Sequence, residues 1–297
     1  MVRLLGLLVS VACCVYVARA LFAEGSPLSQ GVHLQLLWPL FAATLCWMGV
    51  NTALGLGWGA IARTLGTNIS AKASVLLSYR TQVAKYLPGN VFHHVGRVVL
   101  AKQLGIPASI AGVATLLESL FLVGLAALLG LSFLFHLGYG AWAIALVIAG
   151  ILILGLLSKN GFLKRKLGID PGRTTGNPFG FLLSAAFYVS VFLLQAVMFT
   201  LFLGATSEAI GLGWWRTLEM VSLAWGAGFV VIGAPGGLGV REAAYALFAN
   251  TADMKMQLLY IASWLRVSSI LGDLICFILS KFISNPSDPG TPHGESR

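Results

Sequence analysis

Lys85-Tyr86-Leu87-Pro88-Gly89-Asn90-Val91-Phe92-His93-His94-Val95-Gly96-Arg97 decides how this chain folds, and Ala234-Pro235-Gly236-Gly237-Leu238-Gly239-Val240-Arg241-Glu242 repeats the theme. Each stretch sets a Pro-Gly break inside an apolar region and follows it with a basic residue. A helix that breaks in lipid frees backbone N–H and C=O groups that hydrocarbon cannot satisfy. Such a break survives only when protein buries it or when it lines a wet cavity. Pro88, Gly89, Pro235, Gly236 and Gly237 therefore read as the bends of two re-entrant helical hairpins, with the other segments packed around them.

The rest of the composition agrees with a membrane setting. The chain of 297 residues is 58% hydrophobic and only 10% charged, with a mean hydropathy of +0.87. Soluble domains carry about 25% charged residues. The formal charge of +9 sits in short loops and at the breaks, where the positive-inside rule accounts for it without nucleic acid. Cys13, Cys14, Cys46 and Cys276 lie in apolar runs without a C-x-x-C pair, so neither a disulfide nor a zinc site is expected.

Taken in order, apolar runs of membrane-crossing length fall at about 2–23, 34–61, 107–136, 141–157, 178–203 and 256–282. The first reads as an uncleaved signal anchor. Asn51, Gly55 and Gly59 recur on one face of the second, as close helix packing asks. Segments 73–87 and 91–103 are too short and too basic to cross, and form the first hairpin, with Asn90 placed to cap its second half. Segments 215–234 and 239–250 form the other; reading 215–234 as a full span is the alternative. Trp38, Trp214 and Trp215 suit interfacial anchors.

The fold expected is an all-α polytopic membrane protein, with about six transmembrane helices and two re-entrant helical hairpins. It makes one transmembrane domain over 1–283, followed by a disordered polar tail, 284–297. Lys and Arg in the loops, above all Lys159, Lys164, Arg165, Lys166 and Arg173, put both termini in the cytoplasm. Two spans, a hairpin and one span occur in 1–136 and again in 139–283, in opposite senses. That is an inverted-topology repeat, common in secondary transporters. Glu118 and Arg266 follow their respective breaks at nearly the same spacing, so they are expected to pair across the pseudo-twofold axis.

Charges deep in a membrane are costly, and they mark pathways or pairs. The candidates are Lys85, Arg97, Glu118, Arg241, Glu242, Arg266 and Asp273. Once Glu118 and Arg266 are set aside, the bends lean basic, and helix N-termini there favour an anion. Lys85, Asn90, His93, Arg97, Arg241 and Glu242 are thus the candidate substrate-binding residues, with Glu242 the local partner of Arg241. A phosphate or phosphodiester fits, held by Arg in bidentate fashion and by Lys as a point charge. His93 and His94 point in different directions on a helix and chelate poorly, so they read as polar lining and no metal is expected. The chain has no phosphate-binding G-x-x-x-x-G-K-[ST] loop, no H-E-x-x-H and no G-x-S-x-G. No catalytic residue and no cofactor is expected; the minor alternative, a membrane-embedded transferase, would have only His93 and His94 to draw on.

The two Pro-Gly stretches, with Leu117-Glu118 and Leu265-Arg266, resemble those of the lysylphosphatidylglycerol synthase transmembrane (flippase-like) family, over about 1–283. That family includes the membrane portion of the multiple peptide resistance factor. Where its Glu is followed by Arg, this chain has Ser119. The resemblance implies a bacterial inner-membrane flippase. Its cargo would be an anionic or aminoacylated phospholipid, or a lipid-linked glycan, moved between leaflets. Synthase activity is not implied, because in the family it belongs to a separate soluble domain. The alternative is an accessory subunit for a separate transferase, docked on the basic loop 159–173.

Overall fold

The computed structural model describes residues 34–87, 91–136, 138, 139, 141, 142, 144, 145, 179–206, 211–231 and 234–283. The expected spans 2–23 and 141–157, the loop 159–173, the tail 284–297 and the bend residues Pro88, Gly89 and Asn90 lie outside them wholly or in the main. All regular structure among the described residues is helical. Four helices are long and apolar enough to cross a membrane: Leu34–Thr64 (a 3-10 turn, then α1, Leu37–Thr64), α4 (Ala108–Leu129), α6 (Phe179–Ala205) and α9 (Ala252–Phe282). Between them lie two pairs of shorter helices. The first is α2 (Ala71–Gln82), continued by a 3-10 turn Val83–Tyr86, and α3 (Phe92–Gln103). The second is α7 (Trp214–Val230), a 3-10 turn Pro235–Gly237 and α8 (Val240–Ala246). A short α5 (Leu131–His136) follows α4.

Local chemistry explains several boundaries. Ser70 caps α2 by accepting from the Ala73 N–H at 3.1 Å, and Thr251 caps α9 from the Met254 N–H at 3.2 Å. Val91, rather than Asn90, holds the cap position of α3, and it makes no side-chain cap bond. The apolar run 107–136 is not one helix: α4 stops at Leu129, with Gly130 as its cap residue. Gly130 has no room for a side chain because Leu223 of α7 lies against it. The Phe133 N–H, one of the free donors at the start of α5, is taken by Glu219 Oε1 at 2.6 Å. At 17 residues, α7 is about 26 Å long at 1.5 Å per residue, short of a hydrocarbon core of about 30 Å.

α1 and α6 form the central seam, and they run antiparallel. Ser184 Oγ donates to Gly57 O at 3.0 Å, Gly180 faces Ala60 and Thr64, and Gly49 faces Leu194. Gly57 lies directly under the Tyr188 ring, a contact that a Cβ would forbid. On another part of its surface, α1 receives α2: a Cβ on Gly55 would stand 2.7 Å from Val75 Cα, and Gly59 faces Ser74. The expected glycine packing thus holds for Gly55 and Gly59. Asn51, the third of that row, makes a hydrogen bond instead (below).

The contacts also fix where each short pair begins and ends. α2 starts beside the end of α1, and α3 ends five residues before α4 begins, so both outer ends of the first pair lie at one end of the bundle. α7 runs antiparallel to α4, with Leu223 at Gly130 and Gly226 near Ala126. It starts at the opposite end of the bundle, where Arg216 stands over the rings of Phe133 and Phe248 at 5.1 and 4.8 Å. Phe248, just after α8, stacks on Phe133 at 4.1 Å, so the second pair returns to the end where it began. The inner ends of the two pairs meet: a Cβ on Gly236 would stand 3.2 Å from the Tyr86 ring. The relations α1–α2, α2–α3, α3–α4 and α2–α9 recur as α6–α7, α7–α8, α8–α9 and α7–α4.

Candidate functional site

The meeting point of the two breaks is built on α9. Asp273, fully buried, accepts from four side chains. The Trp47 indole N–H and the Asn51 amide bond its Oδ1 at 2.9 Å each, and the Tyr86 hydroxyl bonds Oδ2 at 2.6 Å. Lys85 Nζ joins Oδ2 at 2.7 Å and lies 4.9 Å from the centre of the Trp47 ring. A buried carboxylate needs this kind of saturation, because an unpaired charge in low dielectric is costly. Two turns earlier on the same helix, Arg266 holds the second break. Its Nε donates to Glu242 Oε1 at 2.9 Å, and its two terminal nitrogens donate to Gly236 O at 2.8 Å and Gly237 O at 3.2 Å. These carbonyls are groups that the helix break sets free. Gly236 and Gly237 have φ of 58° and 71°, a left-handed backbone that favours glycine.

The third pair is Arg97 of α3 with Glu118 of α4, at 2.5 Å, with the side chains 2% and 3% exposed. Two sequence expectations are therefore corrected. Glu118 pairs with Arg97, not with Arg266, and Glu242 pairs with Arg266, not with its neighbour Arg241. Adjacent residues on a helix point about 100° apart, which turns Glu242 toward α9 and Arg241 toward α7. The pairs are local to each half, joining the returning helix to the next span, with the signs of the charges exchanged.

Of the seven charged candidates, four are basic and three acidic, and three pairs form. Arg241 is the remaining cation, with no ion pair or hydrogen bond among the described residues. Its stem crosses Gly228 and Gly237, where a Cβ would stand 2.5 Å from its Cγ and 2.9 Å from its Nε. Its guanidinium lies 5.8 Å from the Trp225 ring centre, a stabilising distance for a cation on an aromatic face. Half-buried, Arg241 lines an open cleft with Glu242, Tyr245, Gln195, Trp47 and Ser269. Glu242 Oε2 is enclosed and has no hydrogen-bond partner among the described residues. The cavity volume is about 30 Å³, room for on the order of two or three waters. A phosphate oxygen or an ammonium enters it as it stands; a whole headgroup needs it wider.

Of the other sequence candidates, Lys85 sits at the junction but is neutralised by Asp273. Arg97 is sealed in its pair. His93 is buried one turn before Arg97, its ring 3.8 Å from that of His94, and His94 lies edge-on to Phe229. No group of three metal-ligating side chains occurs among the described residues. Sequence reading missed Trp47, Asn51 and Tyr86 as ligands of Asp273, and Glu219 as the cap of α5. Tyr86 belongs to the first Pro-Gly stretch and was the one with a visible signal. The chain matches no protein-family model and no curated protein.

Proposed function

We propose that this chain is a membrane transporter, a flippase or translocase that moves a lipid with an anionic phosphate headgroup between leaflets. The same reading makes α2–α3 and α7–α8 re-entrant hairpins inserted from opposite leaflets, within an inverted repeat of a multi-pass inner-membrane protein. Support comes from the antiparallel α1–α6 seam, since equivalent spans of an inverted repeat must run in opposite directions. It comes too from the outer ends of the two short pairs, at opposite ends of the bundle. The resemblance of the two Pro-Gly stretches to the flippase-like family supports it further.

The observation that carries the reading is Arg241. A cation in a membrane interior, in no ion pair among the described residues and open to a cleft, is costly unless an anion visits it. Guanidinium grips phosphate bidentately. Glu242, which lines the same cleft, offers an acceptor for an ammonium on the same headgroup, which suits an aminoacylated or amine-bearing phospholipid. In the cleft the Ser269 hydroxyl is committed to Arg266 O and Glu242 to Arg266, and we assign no reaction to it.

The test is purified protein in liposomes, with labelled phosphatidylglycerol, phosphatidylethanolamine and an aminoacylated phosphatidylglycerol followed between leaflets. The wild type should speed at least one of them over empty vesicles. Arg241→Gln should cut that rate about tenfold or more, the equivalent of about 1.4 kcal/mol in the barrier. No acceleration for any headgroup, or an Arg241→Gln protein as fast as wild type, would overturn the proposal.

A further inference from the structure

The first half of the bundle contains an arrangement that mirrors the Arg241 cleft. There, α3 and α4 are joined by Arg97–Glu118, as α8 and α9 are by Glu242–Arg266. Tyr188 reaches this place from α6, as Trp47 reaches the cleft from α1. At the cleft, Arg241 Nε and Glu242 Oε2 are enclosed without a partner, and the first half repeats this. Three polar atoms there are fully enclosed and have no partner: Arg97 Nε, Glu118 Oε1 and the Tyr188 hydroxyl. The Tyr188 hydroxyl stands in the field of both Glu118 and Arg97. Isolated orphan atoms of this kind are rare in folded proteins, and a cluster around one ion pair calls for a ligand.

The chemistry of the cluster selects that ligand. Arg97 Nε–H needs an acceptor, Glu118 Oε1 needs a donor, and the Tyr188 hydroxyl can serve either way. A cation would be repelled by Arg97 and an anion by Glu118. A small neutral molecule that both donates and accepts fits, and with two to four polar partners within reach that molecule is water.

We infer that Arg97, Glu118 and Tyr188 enclose a second polar pocket, closed and filled with internal water, the mate of the Arg241 cleft. This does not depend on the transport reading: the pocket holds water whether or not lipid moves. Its water is the third partner that lets the Arg97–Glu118 pair remain charged deep in the bundle.

Two measurements test it on the full-length protein in detergent. Radiolytic hydroxyl labelling, read by mass spectrometry, modifies residues beside bound internal water even when bulk solvent cannot reach them. Tyr188 should be labelled several-fold faster than the equally buried Phe192 and Phe199, after correction for intrinsic reactivity. Tyr188→Phe should lower the thermal unfolding midpoint, because the hydroxyl has a partner in water. In a dry site the same change removes an orphan hydroxyl and raises the midpoint. Labelling of Tyr188 no faster than the two phenylalanines, or a midpoint unchanged or raised in Tyr188→Phe, overturns the inference.

Discussion

At the scale of single residues, the network around Asp273 yields an ordered prediction. Asp273→Leu leaves the Lys85 ammonium among the Trp47 and Tyr86 rings with no acid, at a cost of about 3–5 kcal/mol. Lys85→Met leaves Asp273 with three neutral donors and costs less. The double variant should recover part of the Asp273→Leu loss, since it removes the stranded charge. Thermal unfolding of the purified variants checks that order; Lys85→Met as damaging as Asp273→Leu would contradict it. The sequence displayed every charge involved but not who meets whom. Glu118 and Arg266 have matched spacings from their breaks, which invited pairing across the axis. Pairing within each half won because Arg97 lies on the helix that runs directly into α4, and Glu242 on the one that turns into α9. Asn51 was legible only as one of a row of packing residues, because its partner is far along the chain.

At the scale of elements, the helices themselves were largely readable. Apolar length located α1, α4, α6 and α9, and the Pro-Gly stretches located the breaks. Less legible was the stop at Leu129, where Gly130 and the Glu219 side chain on a distant helix end an apolar run that sequence alone continues. The second break makes its own prediction. Gly237 has a φ of 71°, and a Cβ there would meet Gly228 O at 3.0 Å and Arg241 Nε at 2.9 Å. Gly237→Ala should destabilise by about 1–3 kcal/mol through backbone strain and displace Arg241. Gly112→Ala and Gly124→Ala on α4 meet nothing within 4 Å. They should be neutral or stabilising by up to about 1 kcal/mol, the helix preference of alanine over glycine. Equal unfolding midpoints for all three would count against a break held in place by close contact.

At the scale of the whole molecule, each break is tied to α9, one through Asp273 and the other through Arg266. Of the seven charged candidates, three pairs leave one cation, Arg241, near the place where the breaks meet. A site of this kind between the breaks requires the two short helix pairs to enter the membrane from opposite faces. Single-cysteine variants, on a background without native cysteines, test this with an impermeant maleimide in sealed membrane vesicles of known orientation. Lys102→Cys lies at the exposed end of the first pair, and Asn250→Cys at the exposed end of the second. The account predicts that reagent outside the vesicle labels one of them and not the other, and that the pattern reverses in vesicles of the opposite orientation. Labelling of both from the same face would contradict it.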